Sequence, residues 1–117
     1  MKMIIAYLPP QFLEPVSSEL QRKHIHGMSV SNVHGFGQEH DALDPDHREF
    51  SGIERTKKVR LEIACHDSEA DIILQTIYDV AHTGLRGNGK VFVLPVLDAL
   101  RLKTGERGAQ ALGPKSA

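Results

Sequence analysis

Residues 57–65 alternate strictly between two faces, and this pattern constrains the fold more than any other feature of the chain. The apolar positions are Val59, Leu61, Ile63 and Cys65. The positions between them are Lys58, Arg60, Glu62 and Ala64. A period of two with one apolar face is typical of an antiparallel strand buried on one side. The rest of the chain must therefore cover the apolar face.

Three further strands and two helices are predicted around this strand. The strands are 1–8, 28–36 and 91–96, and the helices are 11–24 and 68–83, with Gly27 as the residue that ends the first helix. The order βαββαβ predicts an α+β, ferredoxin-like fold. In that fold a four-stranded antiparallel sheet carries two helices on one face.

Two segments lack any period. Residues 38–55 are polar, and a loop of this length in a small domain is typically functional. Residues 108–117 are rich in Gly, Ala and Pro, which predicts a mobile tail. We therefore expect one domain over residues 1–107, with a large loop at 38–55 and a tail at 108–117.

The composition excludes several classes of protein. Fourteen basic and fifteen acidic residues among 117 lack the basic excess of a general nucleic-acid-binding protein. A single cysteine, Cys65, cannot form a disulfide framework and favours a reducing compartment. The apolar runs are too short to span a membrane, and residues 1–8 lack the features of a signal peptide. We expect a cytoplasmic protein that binds no nucleic acid.

The second face of the predicted sheet has no covering layer. Lys58, Arg60 and Glu62 lie on it. An open face in so small a domain favours self-association into a closed ring or a dimer. A solvated polar face is the alternative.

The glycine-rich segment 83–90 has the spacing of a phosphate-binding Walker A loop. Val91 stands where that motif needs Ser or Thr for Mg²⁺, and the segment runs from helix to strand, the reverse of a P-loop. Its backbone N–H groups can still form an anion nest, although a plain turn is the alternative. The cations that could neutralise phosphate are Lys58, Arg86, Lys90, Arg101 and Lys103.

A metal site is a second possibility, in the large loop. Its candidate ligands are His40, Asp41, Asp44, Asp46, His47 and Glu49. Imidazole and carboxylate suit Zn²⁺ and similar ions, but no ligand spacing defines a geometry. Solvated loop residues are the alternative. Elsewhere, His82 suits the negative end of the second helix dipole, Cys65 suits the core, and no catalytic triad or dyad is visible.

Several motifs together resemble the PII (nitrogen regulatory) signal-transduction family, as a PII-like member with a divergent large loop. The matching stretches are Met28-x-Val30, Gly35-Phe36-Gly37, Lys58-Val59-x-x-Glu62-Ile63, Thr83-Gly84-x-x-Gly87-x-Gly89-Lys90-Val91-Phe92-Val93 and Arg101-x-Lys103-Thr104-Gly105-Glu106. They cover most of the chain outside the loop and the tail. The resemblance implies a homotrimer of ferredoxin-like subunits that binds ATP, ADP or AMP in clefts between subunits.

The resemblance also implies a role for each matching residue. On the base and ribose side it places Tyr7, Ser29, Gly35, Phe36, Gly37 and Ala64. On the phosphate side it places Thr83, Gly87, Asn88, Gly89 and Lys90. Lys58 would reach in from the edge of the large loop, and Arg101 and Lys103 would come from the neighbouring subunit. Glu62 would join Arg60 in the trimer contact or line the cleft.

Four departures from the family pattern concern effectors and modification. Asp46 and Ser51 replace the loop tyrosines, so uridylylation of a tyrosine is excluded, although Ser51 could be phosphorylated. Glu39 replaces a glutamine that helps to hold Mg²⁺ and 2-oxoglutarate, which leaves Mg²⁺ open and disfavours 2-oxoglutarate. Asn88 replaces an aspartate, and Lys103 replaces an arginine and its bidentate fork.

The leading hypothesis is a sensor and not an enzyme. Adenine nucleotides, with a small anion such as bicarbonate as second effector, would alter the large loop, which would bind an unidentified target such as a transporter. The alternative is a metal-responsive trimer that uses the His/Asp-rich loop. A third hypothesis is a slow nucleotide hydrolase, whose general base would be Glu62 or Glu106.

Overall fold

The helices and strands follow the predicted order in the computed structural model, which describes residues 1–36, 48–50, 53–82 and 89–114. The strands are β1 (Lys2–Leu8), β2 (Ser29–Phe36), β3 (Arg48–Phe50), β4 (Ile53–Cys65) and β5 (Lys90–Pro95). The helices are α1 (Leu13–Arg22) and α2 (Ala70–Ala81). Short 3₁₀ turns at Pro10–Phe12 and Asp67–Glu69 precede the helices, and a third spans Gly108–Leu112.

The strands form one antiparallel sheet in the order β2-β4-β1-β5, with β3 paired to β4. Ile4 at the centre of β1 lies opposite Ile63 on β4 and Val93 on β5. The predicted apolar face of β4 is confirmed, because Val59, Leu61, Ile63 and Cys65 are each at most 3% exposed. The ferredoxin-like fold class is therefore confirmed, with β3 as an addition to the four predicted strands.

The two helices cover the apolar face of the sheet. Val16 and Leu20 of α1 and Ile73 and Ile77 of α2 are almost completely buried in the core that they share with β1 and β4. The Lys23 Nζ donates to Thr76 Oγ1 at 2.9 Å and links the end of α1 to α2. None of the helices in the described ranges is both long and apolar enough to cross a membrane.

The first helix ends three residues earlier than the predicted Gly27 cap. His24 has a φ of 67°, its N–H donates to Gln21 O at 2.9 Å, and the Ile25 N–H donates to Leu20 O at 2.9 Å. This pair of bonds is a Schellman motif, in which the residue after the cap adopts the left-handed conformation. Ile25 is buried like Leu20 and supplies the hydrophobic contact of the motif. The prediction that Gly27 ends the helix is wrong, because burial of Ile25 beside Leu20 ends the helix before the chain reaches Gly27.

The loop predicted over residues 38–55 contains strand residues. Arg48–Phe50 pairs with the start of β4, and the register joins Arg48 to Arg55 and Phe50 to Ile53. Strand β4 therefore begins at Ile53 and not at the predicted Lys57. These two segments form a strand pair through backbone hydrogen bonds, which every residue type can make. The polar sequence has no apolar alternation, so it does not predict this pairing.

The described part of the predicted tail folds against the domain. Gly108–Leu112 is a 3₁₀ turn, the Gly108 N–H donates to Ala99 O at 3.0 Å, and the Gly113 carbonyl accepts a hydrogen bond from His66 Nε2 at 2.8 Å. These contacts, which involve residues distant in sequence, differ from the mobile tail that composition predicts.

Among the described residues, none forms a layer over the second face of the sheet. Its β4 side carries the predicted Arg60 and Glu62, whereas its β5 side is apolar. Phe92 and Leu94 point to this face opposite Ile5 and Met3, and they are 49% and 42% exposed. The face is therefore divided into a charged half and an apolar half.

Candidate functional site

Tyr7 lies on the uncovered face near the end of β1. Its backbone neighbours are Arg60 on β4 and Lys90 on β5. The Arg60 guanidinium carbon lies 5.8 Å from the centre of the Tyr7 ring, and Phe92 meets the ring edge-on with centres 6.2 Å apart. A cation over the ring face and an aromatic partner at its edge are both stabilising contacts. Tyr7 is therefore held as part of a cationic, aromatic surface.

Gly89 lies against β1 just before the chain enters β5. Its φ is 112°, and a Cβ at this position would lie 1.7 Å from the Tyr7 carbonyl oxygen. Only glycine tolerates both this conformation and this approach. Gly89 therefore lies directly beside Tyr7, and Lys90 follows as the first residue of β5.

Lys58 is buried although its strand position places it on the uncovered face. It is 7% exposed and pairs with Val33 on β2. A buried ammonium needs compensating contacts, and Lys58 does take part in an interaction. Gly35 and Phe36 continue β2 beyond this point, opposite Thr56 and Arg55. Five of the predicted residues thus lie toward the same end of the strands, which we call the Tyr7 end of the sheet: Tyr7, Lys58, Gly35, Gly89 and Lys90.

Glu62 and Arg60 form an ion pair on β4. The Arg60 Nε lies 3.2 Å from Glu62 Oε1, and both side chains are partly exposed. This ion pair lies within a single chain, whereas the resemblance implies a place for Glu62 with Arg60 in the trimer contact or in the cleft, which stays a prediction. Ser29 lies directly opposite Glu62 and Ala64 opposite Met3, so these predicted residues lie further from Lys90 along the sheet.

Arg101 and Lys103 lie on residues 98–107, which we call the arm. The arm follows β5 at the opposite end of the sheet, where Lys2 pairs with Cys65 and Pro95. We call this edge the Lys2 end. The arm turns back on itself, because the Arg101 N–H donates to Glu106 O at 2.9 Å and the Gly105 N–H donates to Arg101 O at 2.8 Å. Both cationic side chains are exposed.

Asp98 closes the base of this arm. Its carboxylate accepts hydrogen bonds from the Ala99 N–H at 2.8 Å and the Gly108 N–H at 3.1 Å, and it pairs with the Arg107 guanidinium. The hydrogen bond from Arg107 is the main cause that lowers the pKa of Asp98, so its carboxylate stays charged around neutral pH. The hydrogen bonds and the ion pair of the Asp98 carboxylate therefore hold the two ends of the segment that contains Arg101 close together.

Arg86 lies outside the described residues. The other four predicted cations are divided between two ends of one chain: Lys58 and Lys90 at the Tyr7 end, Arg101 and Lys103 at the Lys2 end. Five residue steps separate Lys90 from Pro95 along β5, which is about 17 Å in an extended strand. Arg101 and Lys103 lie beyond Pro95. One chain therefore places Tyr7, Lys58 and Lys90 toward the same end of the sheet, and it places Arg101 and Lys103 beyond the other end.

Four predicted site residues lie outside the described residues: Gly37, Thr83, Gly87 and Asn88. Five of the six large-loop residues proposed as metal ligands lie outside them too: His40, Asp41, Asp44, Asp46 and His47. The sixth, Glu49, lies in β3, where its register partner on β4 is Glu54. Within the part of the chain that the structure describes, no three His, Cys, Asp or Glu side chains converge as a metal site.

His66 is a contact residue that the sequence did not single out. It is 8% exposed, its backbone N–H donates to Glu69 Oε1 at 2.9 Å, and its Nε2 bonds the Gly113 carbonyl. A His three residues before a Glu at the start of a helix is a weak form of the capping-box signal, which normally has Ser or Thr. The bond to Gly113 has no local signal, because 47 residues separate the partners.

A cavity of about 630 Å³ lies on the other face, between α2 and β5. Leu74, Tyr78, His82 and Val91 contribute to its walls. The His82 ring stacks on the Tyr78 ring, with centres 4.6 Å apart and planes 20° apart. This contact accounts for the place of His82 more directly than the helix dipole does.

The chain is similar throughout to proteins of known family. A sequence model described as nitrogen regulatory protein P-II matches residues 1–106. A nitrogen regulatory protein P-II homolog of Arabidopsis thaliana is 39% identical over 107 residues, which are 91% of this chain and 55% of that protein. The chain therefore spans about half the length of this plant relative.

Microbial relatives match over nearly their whole length. Nitrogen regulatory protein P-II 2 of Methanothermobacter thermautotrophicus is 34% identical over 112 residues, 96% of this chain and 97% of that protein. Among solved structures, Arabidopsis thaliana PII bound to citrate superposes with a TM-score of 0.76 at 36% identity, over 94% of this chain and 90% of that one. The predicted resemblance is thereby confirmed: this chain belongs to the nitrogen regulatory protein P-II family of signalling proteins.

Proposed function

We propose that this protein is a trimeric sensor that binds adenine nucleotides between its subunits and regulates a partner protein through its large loop. The observation that carries the proposal is the division of the cations between the Tyr7 end and the Lys2 end. A nucleotide held at the Tyr7 end of one copy would receive Arg101 and Lys103 from the Lys2 end of the next copy. Membership of the signalling family supports this arrangement.

The uncovered face of the sheet supports assembly. Phe92 and Leu94 are about half exposed in the single chain, beside Ile5 and Met3. Contiguous exposed apolar surface on a small protein is typical of an interface. Since association through these faces juxtaposes neighbouring sheets, it would place the ends of different subunits side by side.

The Tyr7 end has the chemistry that an adenine nucleotide requires. Tyr7 offers an aromatic surface, Gly89 brings backbone close to it, and Lys58 and Lys90 supply positive charge. Arginine and lysine are the usual partners of phosphate, with arginine as the bidentate one. Positive charge from a second copy would favour ADP and ATP over adenosine.

We propose a small anion as the second effector, with bicarbonate favoured over 2-oxoglutarate. Glu39 disfavours a dicarboxylate at the family position, as argued from the sequence. The solved Arabidopsis thaliana relative is bound to citrate, a tricarboxylate, which supports an anion-accepting surface in this family without favouring bicarbonate over 2-oxoglutarate. Regulation by binding, without catalysis, is the role we assign, and we place it in the cytoplasm, where the free thiol of Cys65 stays reduced.

Calorimetric titration of protein of known oligomeric mass tests the proposal. ATP, ADP and AMP are titrated separately, each with and without bicarbonate, 2-oxoglutarate or Zn²⁺. We expect a trimer that binds nucleotide and loses affinity in Arg101→Ala. Glu14→Ala serves as the matched control, because Glu14 is exposed on α1.

Two results contradict the proposal. A trimer that binds none of the nucleotides rules out the sensor. Undiminished binding in Arg101→Ala rules out the contribution of Arg101 from the neighbouring copy. Zn²⁺ binding that is lost in His40→Ala and His47→Ala, without nucleotide binding, would favour the metal-responsive alternative.

A further inference from the structure

We propose that residues 108–113, anchored by His66, position the Arg101 side chain for a nucleotide phosphate. This inference rests on the proposed nucleotide function and assigns a role to a segment and a histidine outside the predicted site. The hydrogen bonds within the arm hold the backbone of Arg101. The contacts of the side chain itself carry the inference.

The first contact joins the guanidinium to the C-terminal segment. The Arg101 Nε donates to the Ala111 carbonyl at 3.2 Å. A guanidinium carries five N–H donors, so this bond leaves its terminal amino groups available for an anion. The Ala111 carbonyl thus fixes the Nε side of the group, and the hydrogen bonds found among the described residues leave its terminal amino groups for an anion.

Gly113 lies against the same guanidinium. A Cβ at this position would approach the Arg101 Nη2 to 3.3 Å, and the φ of Gly113 is 80°. A side chain there would crowd the guanidinium and strain the backbone. Glycine at this position therefore allows the chain to pass beside the arginine.

His66 anchors the segment to the body of the protein. Its Nε2 lies 2.8 Å from the Gly113 carbonyl, and because a carbonyl only accepts hydrogen bonds, the Nε2 carries the proton and donates. His66 is 8% exposed, and Glu69 holds its backbone at the start of α2. A connected path therefore runs from β4 through His66 and Gly113 to Arg101.

The expected benefit is preorganisation. Arginine has a long, flexible side chain, and ordering it only when phosphate arrives reduces affinity. A guanidinium already oriented by Ala111 loses less freedom on binding. His66 acts through the tail on Arg101, so it is a positioning residue and does not itself touch the nucleotide.

The test uses the full-length chain with ADP and adenosine as ligands. His66→Phe removes the donor to Gly113 and should weaken ADP binding about tenfold, the effect of one well-placed charged hydrogen bond. Adenosine affinity should stay within about twofold, because adenosine has no phosphate for Arg101 to contact. His66→Gln should restore most of the ADP affinity, since its amide can donate to the same carbonyl.

Two further comparisons keep the test decisive if His66→Phe folds poorly. Gly113→Ala should weaken ADP selectively as well, whereas Gln110→Ala, at an exposed position in the same segment, should not. In an Arg101→Ala background, neither His66→Phe nor Gly113→Ala should weaken ADP further, because the group that they position is gone.

The outcomes separate this role from the proposed function. If wild-type protein binds no ADP, the proposed function fails and this role fails with it. If Arg101→Ala weakens ADP while His66→Phe and Gly113→Ala do not, the proposed function stands and the positioning role alone is overturned. Equal losses for ADP and adenosine also overturn it, because they indicate a purely structural effect.

Discussion

Gly89 shows how a single residue sets the geometry of the Tyr7 end. Its positive φ and its contact with the Tyr7 carbonyl leave no space for a Cβ. We predict that Gly89→Ala lowers the free energy of unfolding by about 2–4 kcal/mol, because relief requires the backbone of β1 or β5 to move. Urea denaturation measures the change.

Gly27→Ala is the matched control for this substitution. A Cβ at Gly27 meets nothing within 4 Å, so its replacement should change stability by less than about 1 kcal/mol. Equal effects of the two alanines would contradict the assignment of Gly89 to a close approach.

His24 is a second position at which backbone conformation determines the suitable residue. It occupies the left-handed position of the Schellman motif at the end of α1, where glycine is usual. We predict that His24→Gly raises the free energy of unfolding by about 0.5–1 kcal/mol, because glycine adopts this conformation without a steric penalty. Thermal or urea denaturation checks the gain.

His26→Gly provides the comparison, because His26 is exposed and its φ is not positive. That substitution should be neutral or destabilising, since glycine gains freedom in the unfolded chain. A destabilised His24→Gly would indicate that the contact of His24 with the His26 ring, 6.2 Å away, outweighs the backbone strain.

Among the elements, β4 has one side in the core and the other on the uncovered face. Cys65, at its end, lies on the buried side, and this burial affects its ionisation. Burial raises the pKa of the Cys65 thiol, and the negative charge of Glu69 adds to the effect. The folded state therefore keeps the neutral thiol above the pH at which the unfolded chain ionises, near 8.5 for free cysteine.

The sign of the pH effect follows from this difference. A raised pKa in the folded state contributes stability that is complete below the unfolded pKa and is lost as pH rises through the folded value. We predict that the free energy of unfolding decreases above about pH 8.5 and that this decrease is smaller in Cys65→Ala. Urea denaturation at a series of pH values, for both proteins, measures the difference.

Reaction of the native protein with a thiol reagent gives an independent check. Since Cys65 is 2% exposed, it should react far more slowly in the folded than in the unfolded protein. Identical pH dependence in Cys65→Ala and wild type, or rapid labelling of the native thiol, would contradict this account.

At the scale of the whole molecule, the uncovered sheet face determines whether the protein works alone. Phe92 is 49% exposed on this face and touches Tyr7. We predict that Phe92→Asp converts the proposed trimer into monomers, because assembly would bury a carboxylate without a partner. Sedimentation or light scattering gives the mass, and nucleotide binding should weaken with it.

Ile72→Asp is a control of equal exposure on the opposite side of the molecule. Ile72 is 48% exposed on α2, whose helix covers the other sheet face. This variant should keep the wild-type mass. Loss of the assembled mass in Ile72→Asp but not in Phe92→Asp would place the interface on the helices.

The sequence predicts those parts of the fold that depend on local periodicity. The alternation of Val59, Leu61 and Ile63 identifies β4 and its buried side, because strand geometry places every second residue on one face. The order of the strands and helices then indicates the fold class. Local periodicity does not predict the end of α1, because burial of Ile25 determines it. It does not predict the start of β4 either, because pairing with β3 determines it.

The candidate site divides in the same way. Residue type alone suggests that Lys58 and Lys90 belong near an anion, and the family resemblance adds Tyr7. The register of β1, β4 and β5 places all three at one end of the sheet. Residue type also suggests Arg101 and Lys103, but only the tertiary structure places them at the far end. The sequence cannot express that separation, since it depends on the direction in which β5 leaves the sheet.

The sequence by itself determined the fold class, the buried side of the sheet and the residue types of the site, because periodicity and charge are local properties. Only the tertiary structure decided which residues meet across long separations. It joined His66 to Gly113 and Arg101 to Ala111, although composition predicted a mobile tail. The physical reason is that backbone carbonyls make both contacts, and every residue type has a carbonyl, so no residue pattern announces them.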